Sequence, residues 1–253
     1  MEFVNLTVQN HVGIVTIDRP PVNAVNRQLY KEIMDTFRSI NEIDEIRVAI
    51  LRAEGKMFVA GNDVKDLQQL NIDNGHEYRD MVKDSLGSVY QCRVPVVGAI
   101  NGPAFGAGLG YAACCDILVA SEEAVFGIPE IKIGIVGGAQ WLSLLVPGKV
   151  VRCMALTGCS IKAQELKQYG AVYKVVPGEK LMEAATEVAN VLMTNSPIML
   201  RYWKEALNIN ADARLAEKYD VESDFTGKYM VTEDFKETLT AFLEKRKPLF
   251  KGK

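Results

Sequence analysis

At 253 residues the chain is long enough for one large domain with a substantial buried core. Hydrophobic residues make up 48% and charged residues 24%, a balance that excludes a disordered or low-complexity polymer. The formal net charge is −3 with no long basic block, which excludes a general nucleic-acid track. An anionic ligand would therefore need locally placed Lys or Arg. The five cysteines (Cys92, Cys114, Cys115, Cys153 and Cys159) form no Cys-x-x-Cys pair, and adjacent Cys114 and Cys115 rarely bridge. Reduced thiols and a cytoplasmic protein are expected. The N-terminus lacks the apolar core of a signal peptide, and no apolar run reaches membrane-spanning length.

In chain order, two strands are predicted over Phe3–Val8 and Val12–Asp18, the second apolar on both faces and so the more buried. Arg19-Pro20-Pro21 ends it, since prolines supply no ladder donors. Leu29, Ile33, Phe37 and Ile40 recur at helical spacing within Gln28–Ile43. A buried strand at Arg47–Arg52 leads into a glycine-punctuated loop, then a polar segment over Gln68–His76 and a helix to about Gln91. Strands at Val94–Ile100, Asp116–Ala120 and Ala171–Val176 complete an α/β alternation. From Leu181 the pattern is helical, with a break at Pro197 and a last helix over Glu233–Lys245. The expected division is a core over 1–195 and a C-terminal helical region of the same domain over 196–253.

Two glycine-rich segments carry candidate chemistry. In MFVAGNDVKDL, Gly61 allows a tight turn that would aim the N–H of Asn62 into a cleft; the alternative is a plain loop with Asn62 or Asp63 capping a helix. In NGPAFGAGLG, the alternate glycines Gly106, Gly108 and Gly110 suggest close backbone approach. A dinucleotide-binding turn fails there. Its third glycine would fall at Tyr111, and the segment from Gly110 to Asp116 is too short for a crossover helix.

FVAGNDVKDL followed by VPVVGAINGPAFGAGLGYAACCDILVASEEAVFGIPEIKIG resembles the crotonase superfamily, the enoyl-CoA hydratases and isomerases. RPPVNAVN near the start and FLEKRKPLFKGK at the end are similar to that family's ends. The resemblance implies a spiral of repeated ββα units with a helical C-terminal trimerisation region, a trimer or a dimer of trimers, and an acyl-CoA substrate. No separate cofactor is implied, because coenzyme A is part of the substrate. By matching motifs, the backbone N–H groups of Asn62 and Ala107 would bind the thioester oxygen. Asn62, Asp63, Val64 and Lys65 would lie along the CoA moiety, with Gly106 and Gly108 also at the substrate. Arg19, Lys56 and the C-terminal lysines are further candidates for phosphate contacts, against a reading as solvated surface charge.

One position departs from the family. Its hydratases use two glutamates; the second is matched by Glu130, but the first would fall at Gly110, which has no side chain. Glycine there would make room for a ligand or partner, or serve close packing. A single carboxylate suits moving a double bond, with Glu130 as proton shuttle, better than adding water. Phe126, Ile128, Ile131 and Ile133 flank Glu130 and predict an apolar setting. Asp80 or Asp84 would be a substitute acid, Tyr111 a water-orienting group or core packing, and Asp116 structural. Neither His11 nor His76 falls in a motif. A hydratase, or a CoA-thioester-binding protein without catalysis, is the alternative.

Overall fold

A computed structural model of the chain describes residues 1–212, 226–227 and 229–249. Its main sheet has six strands: β1 (Val4–Gln9), β2 (Val12–Ile17), β3 (Val48–Ala53), β4 (Val96–Ile100), β6 (Ile117–Ser121) and β9 (Lys174–Val176). The β1–β2 pair is antiparallel and every later pairing is parallel. A second, three-stranded sheet joins β5 (Ala104–Phe105), β7 (Val125–Gly127) and β8 (Ser160–Lys162). Those short strands carry too few residues to show a period, which is why the sequence reading passes over them.

The apolar runs VAIL of β3 and VVGAI of β4 are covered on both faces, as parallel strands require. Ala49 and Leu51 of β3 face the larger core with α1 (Arg27–Ile40), α3 (Gly75–Tyr90) and α4 (Ala107–Ala113). Val48 and Ile50 face a smaller core built with α8 (Leu181–Met193). Leu29, Ile33, Phe37 and Ile40 are all fully buried along α1, as their spacing predicts, and Asn26 caps that helix by accepting from Leu29 N–H.

Beyond the sheet, α9 (Pro197–Asp212) is tied to the amino ends of β4 and β6 by one buried lysine. Lys204 Nζ meets Asp116 Oδ2 at 2.7 Å and the Val94 carbonyl at 3.1 Å, and the same Asp116 oxygen accepts from Val96 N–H. Asp116 is thus structural, as expected, through a bridge between elements. Of the five cysteines, Cys92 and Cys114 are buried, while Cys153 and Cys159 are exposed. Burial pushes the Cys92 and Cys115 thiols up, leaving them protonated packing groups. Among the described residues no helix is long and apolar enough to cross a membrane.

The N-terminal strand is held by a carboxylate. Glu32 on α1 accepts from the N–H groups of Glu2, Phe3 and Val4 and from the Gln28 amide. Burial raises its pKa, but those donors together outweigh burial and hold it below the ordinary carboxylate range. A folded-state value below the unfolded one stabilises the fold above the unfolded pKa, and that contribution fades as pH falls through the folded value. Glu32→Gln is therefore expected to cost about 1–3 kcal/mol at neutral pH and much less below about pH 4. Urea melts at both pH values check this; an equal cost at both would contradict it.

Candidate active site

The parallel strands β3 and β4 are neighbours, so the chain leaves both at the same edge of the sheet. Crevices outside the carboxyl ends of such strands are where α/β folds hold ligands. The segment after β3 runs through Gly61 and Asn62; the segment after β4 runs through β5 to Gly106 and Ala107.

Each glycine takes a conformation that side chains avoid, Gly61 at φ +102° and Gly106 at φ +52°. Val25 N–H donates to the Gly61 carbonyl and Asp63 N–H donates to the Val25 carbonyl, a parallel bridge that turns the N–H of Asn62 away from Val25. On the other segment Gly106 N–H donates to the Gly127 carbonyl, and Ala107 begins α4, where the first N–H groups have no intrahelical acceptor. Neither Asn62 N–H nor Ala107 N–H has an acceptor among the described residues. The two segments touch: a Cβ on Gly61 would stand 3.2 Å from the Phe105 carbonyl oxygen, and one on Gly106 would stand 3.6 Å from Gly61 Cα.

Both peptides open into a cavity of about 460 Å³. Glu130 reaches it from a 3-10 turn over Pro129–Ile133, started by Pro129 and stopped by left-handed Gly134. A Cβ on Gly106 would fall 2.3 Å from Glu130 Oε1, so the carboxylate lies directly against that glycine. Glu130 is the one carboxylate among the described lining residues.

The apolar setting has a different origin from the one read along the chain. Phe126 and Ile128 are buried in the core, Ile131 is 46% exposed, and none of Phe126, Ile128, Ile131 and Ile133 lines the cavity. The lining comes from Leu67 and Leu70, from Val82 and Leu86 on α3, from Ile135 and Trp141, and from Met230, Val231 and Phe235 near the C-terminus. Thr226 and Val136 exchange hydrogen bonds through the hydroxyl, which seats this C-terminal segment over the Glu130 turn. The Gln68–His76 segment contributes Asn71, Ile72, Gly75 and His76.

Position 110 is crowded. A Cβ on Gly110 would stand 3.0 Å from Leu86 Cδ2 and 3.7 Å from Trp141 Cδ1, so a side chain there would press on Leu86 and lie against Trp141. Close packing is the role the structure gives this glycine. Asp80 and Asp84 do not replace the acid: both are exposed, neither lines the cavity, and Asp80 pairs with Arg79. Tyr111 is fully buried and shares a hydrogen bond with Ser85 at 2.7 Å; burial pushes its phenol well above the ordinary range. It is core.

Asp63 caps α2 (Val64–Leu67) by accepting from Lys65 N–H, so one of the two candidate capping residues does cap. Its carboxylate also pairs with Arg19 at 2.8 Å, and Arg19 donates to the Ala24 carbonyl, so Arg19 is committed to the fold. Asp63, Val64 and Lys65 lie outside the cavity. Gly108 does not line it either; a Cβ there would stand 2.2 Å from the Val59 carbonyl oxygen, so packing requires that glycine. Lys56, Lys65, Lys245 and Lys247 are exposed, and Lys251 and Lys253 lie outside the described residues.

Sequence reasoning expected the Gln68–His76 segment and the C-terminal helices to border the pocket, as they do, but did not single out Tyr30, Arg79 or Leu86. Tyr30 sits beside the apolar stripe of α1 and shows no separate signal. His76 and Arg79 share one face of α3 at i and i+3, a spacing any solvated helix also shows.

The family model for enoyl-CoA hydratase/isomerase matches residues 7–253. The chain is 35% identical to a short-chain-enoyl-CoA hydratase of Clostridium acetobutylicum, over 98% of this chain and 97% of that one. It is 34% identical to a (7aS)-7a-methyl-1,5-dioxo-2,3,5,6,7,7a-hexahydro-1H-indene-carboxyl-CoA hydrolase of Rhodococcus jostii, over 98% and 96%. The solved structure of an enoyl-CoA hydratase/isomerase from Pseudoalteromonas atlantica T6c superposes with a TM-score of 0.87 at 29% identity, covering 98% of this chain and 99% of that one. With two glycine-turned peptides and one carboxylate on a shared cavity, the chain belongs to the enoyl-CoA hydratase/isomerase family, the crotonase superfamily, and is an enzyme of that family.

Proposed function

We propose that this protein isomerises an enoyl-CoA, moving the double bond from the 3,4 to the 2,3 position, with Glu130 as the single proton shuttle. The observation that carries the reading is that Glu130 is the one carboxylate among the described lining residues, beside a crowded position 110. Glu130 takes the C2 proton; the electron pair spreads over C2–C4 and the thioester oxygen as a dienolate. Returning the same proton at C4 leaves the 2,3 double bond. The developing oxyanion is held by the N–H groups of Asn62 and Ala107, each worth about 3 kcal/mol in the transition state. Asp63, Val64 and Lys65, just outside the cavity on the segment after Asn62, are proposed to follow the CoA moiety.

Hydration of an enoyl-CoA is the second reading, favoured by the name of the Clostridium relative. It needs a second group to hold and deprotonate water, and His76 is a further described lining side chain able to act as a base.

The exposed apolar face of α9, with Ile198, Met199, Tyr202, Trp203 and Leu207 each more than half exposed, is proposed to pack against further copies of the chain. The C-terminal region over 196–253 would thus serve assembly as well as line the site.

Three outcomes test these readings. A 3-enoyl-CoA should be converted to the 2-enoyl-CoA faster than crotonyl-CoA is hydrated, and Glu130→Gln should slow that conversion by roughly 10²–10⁴-fold; preferential hydration would overturn the first reading. Gly110→Glu should lower stability by about 1–3 kcal/mol without adding hydratase turnover, because Leu86 and Trp141 crowd the site; a stable variant that gains hydration would show that the position is open. Equilibrium sedimentation should find an oligomer that Trp203→Lys shifts toward monomer, whereas a monomeric wild type would remove the assembly role.

A further inference from the structure

Asn62 carries a side chain that the two backbone donors do not use. The Tyr30 hydroxyl donates to Asn62 Oδ1, and both residues line the cavity. Tyr30 is itself immobilised. It is fully buried, Tyr78 packs edge-on at 6.1 Å, Tyr111 packs at 6.3 Å, and the Tyr30 carbonyl accepts from the Ser85 hydroxyl. In this arrangement the Oδ1 end of the carboxamide faces the Tyr30 hydroxyl and the Nδ2 end faces away from it. Oδ1 is occupied, and the two N–H donors of Nδ2 have no acceptor among the described residues.

An oriented donor in a mostly apolar cavity discriminates between ligands. When a hydrocarbon acyl group displaces the water on Nδ2, the donor loses its partner; an acyl group with an oxygen acceptor replaces it. A site built to hydrogen-bond a substrate oxygen rejects the analogue lacking it. The carboxamide belongs to the same residue whose N–H is proposed to hold the thioester oxygen, so its reach covers the first few acyl carbons.

We propose that the Asn62 side chain is a specificity determinant: its carboxamide, aimed by Tyr30, donates to an oxygen on the acyl chain, so the site prefers an oxygen-substituted acyl-CoA to its hydrocarbon counterpart. Tyr30 is a positioning residue that acts through Asn62. The inference rests on the acyl-CoA reading above and deepens it.

Titration calorimetry of the full-length enzyme with butyryl-CoA, 3-hydroxybutyryl-CoA and 4-hydroxybutyryl-CoA tests it. At least one hydroxylated ligand should bind roughly fivefold tighter than butyryl-CoA. Asn62→Ala should erase that ratio. Asn62→Asp keeps the size and the Tyr30 bond but turns the donor into an acceptor, and should also erase it. Tyr30→Phe should reduce the ratio part-way, a change in discrimination that mere loss of packing would not produce. Equal binding of all three ligands by the wild type, or a ratio that survives Asn62→Ala, overturns the proposal. If no acyl-CoA binds at all, the acyl-CoA reading fails and takes this one with it. Dehydration of 3-hydroxybutyryl-CoA during titration would count against isomerisation alone, and the 4-hydroxybutyryl-CoA ratio then decides the Asn62 role.

Discussion

The site depends on two peptides turned the same way by backbone conformations that only glycine adopts at little cost. Gly61 and Gly106, both at positive φ, lie in contact, and the residues that follow them, Asn62 and Ala107, line one cavity. A side chain on Gly106 would displace the Glu130 carboxylate, and one on Gly61 would press on the Phe105 carbonyl. Donor positions and carboxylate position are therefore a single steric problem. The neighbouring strands β3 and β4 solve it by delivering both turns to one edge of a sheet whose faces are both sealed.

Around that centre the fold adds selectivity by subtraction. Among the described lining residues only one carboxylate is left, and the position that would host a second is filled by Leu86 and Trp141 from α3 and α5 (Ala139–Leu142). An apolar pair there leaves no side-chain acid at this position. The relatives include proteins named for hydration and for hydrolysis, so the shared scaffold serves more than one reaction. The local side chains decide among them.

Structural carboxylates do different work. Glu32 gathers backbone donors to fasten the N-terminal strand, and Asp116 accepts from Val96 N–H to fix β4 while pairing with Lys204 of α9. Removing Asp116 would leave the buried Lys204 ammonium without its carboxylate, so α9 is anchored on one side while its opposite face stays apolar and exposed.

The sequence by itself determined the α/β class, the burial of β3, the buried stripe of α1, a cap at Asn62 or Asp63 and the two glycine turns. Each rests on local periodicity or on a conformation tied to residue type. It also marked Glu130 and the absent acid at Gly110, because motif order is written along the chain. Only the tertiary structure decided what fills position 110, since Leu86 and Trp141 lie 24 and 31 residues away. It likewise replaced the neighbours of Glu130 with apolar groups from four distant segments, set aside Asp80 and Asp84, and brought Tyr30 to Asn62. Contacts between residues far apart in the chain depend on how elements pack, and no local pattern encodes that placement.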